Sequence, residues 1–169
     1  MNMSNLGVDA IKEKMNGINP SNVKADIEEV LLMATQMENL ISQAKGMAIL
    51  GRFYTVMGDH KSAFEQYVNG YNTIENAQRM KSDAASKQPY CLDYATYNLA
   101  EYYYNDGERT GTRDQYESSM YYLNQFNERN RTATSIPKAL AEDFLRLQCV
   151  VARKLGIEQI ATNIESVLG

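Results

Sequence analysis

Starting at Val23, the apolar residues Ile27, Val30, Ala34, Met37, Ile41, Ala44 and Ala48 follow one another at alternating steps of four and three, with Lys24, Glu28, Glu38 and Asn39 between them. That spacing keeps one side chain in every turn on the same side of a helix. Asn19-Pro20-Ser21-Asn22 offers N-cap candidates ahead of the stripe, and Asp26, Glu28 and Glu29 place negative charge toward the positive end of the helix dipole. A helix is therefore predicted over residues 21–57, either continuous or broken near residues 42–46, with residues 1–20 a flexible segment or a short helix.

The same pattern continues in blocks. After the turn Met57-Gly58-Asp59-His60, the residues Ala63, Phe64, Tyr67, Tyr71, Ile74 and Ala77 mark a helix over 61–83 that frays through Lys81–Gln88. Leu92, Ala95, Leu99 and Tyr103 mark one over 90–105, stopped by Asn105-Asp106-Gly107. Tyr116, Met120, Leu123 and Phe126 define a helix over 114–127, and Leu140, Phe144, Leu147 and Val151 one over 137–155. Gly156 separates the last from a helix over 157–168 carrying Ile160, Ala161, Ile164 and Leu168. The three prolines, at 20, 89 and 137, each stand where a helical block opens, a position at which the missing N–H costs little. Nowhere does the twofold alternation of a half-buried strand occur. The expected fold is all-α: antiparallel helix hairpins, stacked as a solenoid or gathered into a compact bundle of about six helices, in a single domain over residues 1–169.

Three glycines that end predicted helices, Gly58, Gly107 and Gly156, are 49 residues apart both times, and Ala63 and Ala161 each fall five residues beyond their glycine. A small residue there lets two helices approach closely, as internal helical repeats require. The first copy, MAILGRFYTVMGDHKSAFEQYVNGY, resembles a tetratricopeptide repeat on Leu50, Gly51, Tyr54, Gly58, Ala63 and Tyr67, with Met47 at the family's Trp position and Gly70 at a small one. Leu99, Ala100, Tyr103 and Gly107 form a degenerate second copy, and Gly156 with Ala161 a vestigial third. The resemblance implies hairpins that bind an extended peptide on the groove-facing side of each first helix. Carried over position by position, it points to Lys45, Arg52 and Thr55 in the first copy and to Tyr94, Tyr97, Asn98, Glu101 and Tyr104 in the second.

With 44% hydrophobic and 22% charged residues among 169 and a mean hydropathy of -0.48, the chain reads as an ordinary globular domain. Its net charge of -4, without a basic stripe, speaks against nucleic acid as a partner. The lack of a long apolar run speaks against a membrane partner or span. Cys91 and Cys149 have no metal-type spacing and read as two buried or half-buried thiols, which fits a reducing, cytoplasmic setting, with a single disulfide between them as the alternative. His60, the sole histidine, sits in a turn with no second ligand or nucleophile beside it, and no phosphate-binding or hydrolase motif occurs. No enzymatic activity, metal or cofactor is expected.

Tyrosine is the outlier: nine of the twelve lie between residues 90 and 122. A tyrosine offers large, fairly rigid apolar area with a hydrogen-bonding tip, which suits an interface. The expected function is a protein-interaction module whose tyrosine-rich groove takes a protein or peptide segment, with Tyr94, Tyr97 and Tyr104 exposed together. The alternatives are a homo-oligomeric assembly protein associating through the 21–57 helix, and a regulator that binds a small ligand or signalling peptide.

Overall fold

The structure, a computed structural model, describes residues 17–81, 90–133 and 136–169, and among these it is all-helical. The helices are α1 (Pro20–Gln36), α2 (Leu40–Met57), α3 (His60–Arg79), α4 (Cys91–Thr110), α5 (Arg113–Arg129), α6 (Lys138–Leu155) and α7 (Glu158–Leu168). Residues 1–16, most of the Lys81–Gln88 stretch and the opening Pro89 lie outside the described residues.

The predicted 21–57 helix is two helices, and the break comes earlier than residues 42–46. Glu38 takes a φ of 52°, a left-handed conformation, and the Asn39 side chain accepts from the Ser42 N–H at 3.0 Å to cap α2. An Asn at a helix start satisfies a donor that would otherwise have no partner. Gly46, at the edge of the expected break, is helical instead. A Cβ there would lie 3.1 Å from the Leu31 Cδ1 of α1, so the glycine lets the two helices close on each other. The break also shifts the stripe. Val23, Ile27, Leu31 and Ala34 form the inward side of α1, while Val30 and Met37 are 60% and 76% exposed. Replacing Asn39 by Ala should lower stability by about 1 kcal/mol, the usual worth of such a cap, read as a lower urea midpoint at constant slope.

The second correction concerns Gly107. It does not end a helix: α4 runs through it to Thr110, and the left-handed glycine is Gly111, with φ 70° and its N–H donating to the Gly107 carbonyl at 2.8 Å. Asp106 and Arg109 pair across this turn, and the Thr110 hydroxyl donates to the Asp106 carbonyl at 2.8 Å, which holds the Asn-Asp-Gly sequence helical. The left-handed glycines that follow α2, α4 and α6 thus fall at 58, 111 and 156, and the even 49-residue period is not kept. The expected 61–83 helix ends earlier, at Arg79, while the differences at the other ends, Arg113–Arg129 against 114–127 for instance, lie within normal helix-end variation.

The chain divides into two compact units, Met1–Ala95 and Thr96–Gly169. In the first, α2 and α3 form the principal hairpin, with α1 against α2. Gly58 turns the chain at φ 77°, and the Asp59 carboxylate accepts from the Ser62 N–H at 3.0 Å and its hydroxyl at 2.7 Å. Ile41, Ala44, Ile74, Ala77, Cys91, Leu92 and Ala95 form a buried cluster, and Leu50, Phe53 and Ala63 are buried toward the turn. In the second unit α5 packs on α6 and α6 on α7, and α5 meets the remainder of α4 through Ser119 against Ala100 and Tyr122 against Tyr103. Its core holds Leu99, Leu123, Phe126, Phe144, Leu147 and Val151. Cys91 and Cys149 are both buried; burial pushes the Cys91 thiol up, opposed by the Lys45 charge.

Candidate functional site

The eight residues carried over from the sequence resemblance are distributed over both units. In the first unit Lys45 is exposed and Arg52 half-buried, while Thr55 is occupied within its own hairpin. Its hydroxyl donates to the Gly51 carbonyl at 2.9 Å and lies 3.3 Å from the Tyr67 hydroxyl. Tyr94, on the first turn of α4, is 52% exposed. In the second unit Tyr97, Asn98 and Glu101 are half-buried, and the Tyr97 ring meets Phe144 edge-on at 5.3 Å.

Tyr104 overturns the expectation of joint exposure, for it is 7% exposed. Thr96, Ala100, Tyr104 and Gly107 follow one another at steps of four, four and three, so Tyr104 shares the buried side of α4 with them. Its ring lies 6.1 Å from that of Tyr116, and Tyr116 in turn covers Gly107, where a Cβ would be 2.8 Å from the ring. Leu99 and Ala100 pack inward as expected, with the Ser119 hydroxyl donating to the Ala100 carbonyl at 2.7 Å. Tyr103, assigned by the sequence to that packing side, is instead half-buried.

What α4 and α5 bring together instead is a strip of four tyrosines. Tyr102 meets Tyr103 edge-on at 5.7 Å, and Tyr103 stacks on Tyr122 at 5.8 Å with 13° between the rings. Tyr122 meets Tyr121 edge-on at 5.2 Å, and Tyr121 is 58% exposed. Each contact lies in the range where aromatic pairs attract beyond simple burial. Burial, reinforced by the nearby Asp106 carboxylate, pushes the Tyr102 and Tyr103 phenols above the usual tyrosine range, so both stay protonated and able to donate at neutral pH. The adjacent pairs Tyr102-Tyr103 and Tyr121-Tyr122 were visible in the sequence, but their pairing needed the register of α4 against α5.

A second polar group holds the same hairpin to α6. The Tyr116 hydroxyl donates to Glu108 Oε1 at 2.5 Å, and Lys154 Nζ lies 2.6 Å from the same oxygen and 5.8 Å above the Tyr116 ring. The Lys154 and Tyr116 hydrogen bonds lower the Glu108 carboxyl, and Glu108 raises the Lys154 ammonium. A depressed carboxyl contributes stability above its ordinary value of 4.5, lost as the pH falls through the folded value. A raised ammonium contributes below 10.5 and loses that contribution as the pH rises through its folded value. Glu108→Gln should therefore melt below the wild type at pH 7, and the two melting curves should converge well below pH 4.5, where Glu108 is protonated. Equal melting temperatures at pH 7 would show that the contact contributes nothing.

Among the described residues no helix is long and apolar enough to cross a membrane. Comparison with protein-family models, with curated proteins and with solved structures gives no match.

Proposed function

We propose that the chain is a non-catalytic protein-interaction module, and that the strip Tyr102–Tyr103–Tyr122–Tyr121 on the α4–α5 hairpin is where a protein or peptide segment docks. The observation that carries this reading is the strip itself: four rings in mutual contact, from half-buried Tyr103 to Tyr121 at 58% exposure. Rings held by one another lose little further freedom when a ligand covers them, and hot spots of protein interfaces are enriched in tyrosine. The tetratricopeptide-like spacing of Leu50, Gly51, Tyr54, Ala63 and Tyr67 in α2 and α3 supports the same class of function.

Selection from a random peptide library tests the reading. Peptides enriched on the wild type should lose at least tenfold in affinity on a Tyr102→Ala/Tyr121→Ala variant whose helical circular dichroism is unchanged. No enrichment, or enrichment indifferent to the two substitutions, would overturn it.

One observation favours a second reading, self-association through α1. Val30, Met33 and Met37 share one side of the chain at steps of three and four, and all are more than half exposed. Sedimentation of the wild type beside Met33→Glu should then show a dimer only in the wild type; a monomer in both would dismiss this reading.

A further inference from the structure

The solvent side of α5 has a chemistry of its own. Asp114, Glu117, Tyr121 and Glu128 follow at steps of three, four and seven, which places them in one line along the helix, and all four are exposed. Tyr121 thus stands in a row of carboxylates, its ring steadied by the edge-on contact with Tyr122 at 5.2 Å. From Thr96 to Arg129 six carboxylates stand against three arginines, a net of -3, whereas residues 130–169 carry a net of +1. The two arginines of α5, already counted in that balance, are engaged locally. Arg129 is directed to α4, where Nη2 donates to the Thr96 hydroxyl at 2.7 Å. Arg113 pairs with Glu117 at 2.9 Å, but both side chains are more than half exposed, and a pair so solvated exchanges partners at little cost.

We infer that this side of α5 receives a basic, arginine-bearing segment of a partner protein, laid along the helix with one guanidinium over the Tyr121 ring and others beside Glu117 and Glu128. The inference rests on the interaction reading above and adds the chemistry of the occupant. Guanidinium groups suit both halves of the surface, since they stack on aromatic faces and pair with carboxylates in a bidentate fork. The spacing is compatible with an extended chain. Along the axis Glu117 is about 6 Å and Glu128 about 10 Å from Tyr121, at 1.5 Å per helical residue. An extended peptide covers those distances in about two and three residues.

The experiment is a fluorescence anisotropy titration of the full chain with three labelled peptides of about twelve residues. They carry arginine, glutamine or glutamate at every third position, with alanine and glycine between. The arginine peptide should bind, and more weakly as salt is raised, because the surface charges are screened. Tyr121→Ala should weaken it about fivefold to tenfold, the effect of losing an exposed-to-partly-desolvated cation–π contact. Glu117→Gln/Glu128→Gln should weaken it further and flatten the salt dependence. All three positions are exposed, and circular dichroism verifies that each variant is folded.

Absent binding of the arginine peptide overturns the inference, as does binding unaffected by these substitutions or equally tight binding of the glutamine or glutamate peptide. Its failure is separable from failure of the broader reading. Library peptides that need the strip but carry no basic residues would leave the docking reading standing and remove only its basic occupant. If no library peptide needs the strip, both fall.

Discussion

Replacing Phe144 by Ala is expected to lower stability by about 3–5 kcal/mol, the range for deleting a buried aromatic ring. Phe144 is 2% exposed and lies where α4, α5 and α6 meet. Its ring stacks on Phe126 at 3.6 Å with 7° between the planes and receives the edge of Tyr97 at 5.3 Å. Removing it takes away the transfer free energy of the ring, both aromatic contacts and the filling of a space that surrounding helices cannot fully close. Phe144→Leu, which keeps most of the volume, should cost well under half as much. Urea unfolding followed by circular dichroism reads both values. An alanine variant within 1 kcal/mol of wild type would mean that Phe144 is not a centre of this core, contrary to its burial.

The second large effect is expected at Gly51. The Tyr67 ring of α3 lies so close that a Cβ on Gly51 would stand 2.6 Å from Cε1 and 2.8 Å from Cδ1. Tyr67 is itself buried, with its hydroxyl beside that of Thr55, so the ring cannot simply swing away. Gly51→Val should therefore cost about 3 kcal/mol, the upper end of the range for overpacking, despite valine's better helix propensity than glycine. Two controls separate the steric cause from helix propensity. Adding Tyr67→Ala should make the Gly51→Val change much cheaper, since residues in contact do not contribute independently. Gly70→Ala, on the facing helix, should be neutral or gain up to about 1 kcal/mol. Its Cβ would meet only the Ala44 carbonyl at 3.4 Å and Met47 Cβ at 3.5 Å. Additivity in the double variant would refute the ring contact as the cause.

The tyrosines show how far the linear pattern reaches. The density of nine in 33 residues marked the α4–α5 region as unusual, and it is there that the rings gather. Which rings gather was not legible. Tyr102, Tyr103 and Tyr104 are consecutive, so each is turned 100° from the next, and a small rotation of the helix decides which one is buried. Tyr104 is buried on the side that also holds Gly107, where the Tyr116 ring lies too close for a Cβ. The α1 stripe failed in a related way. Val30 and Leu31 are adjacent and similarly apolar, and the closeness of Gly46 selects Leu31 for the interface.

By itself the sequence determined that this protein is all-helical, and it placed four of the six helix-forming blocks within about four residues of their observed ends. Apolar spacing, proline positions and cap residues act within a turn or two of the chain, so they can be read locally. It also supplied the α2–α3 hairpin, because Gly58, Asp59 and Ala63 lie together at the turn that needs them. Tertiary structure alone decided the break at Glu38, the passage of α4 through Gly107, and the stack of Tyr103 on Tyr122. Each of these depends on what a distant residue does to a local preference. Glycine and asparagine permit a helix to stop without compelling it, and a packed neighbour such as Tyr116 over Gly107 settles the outcome.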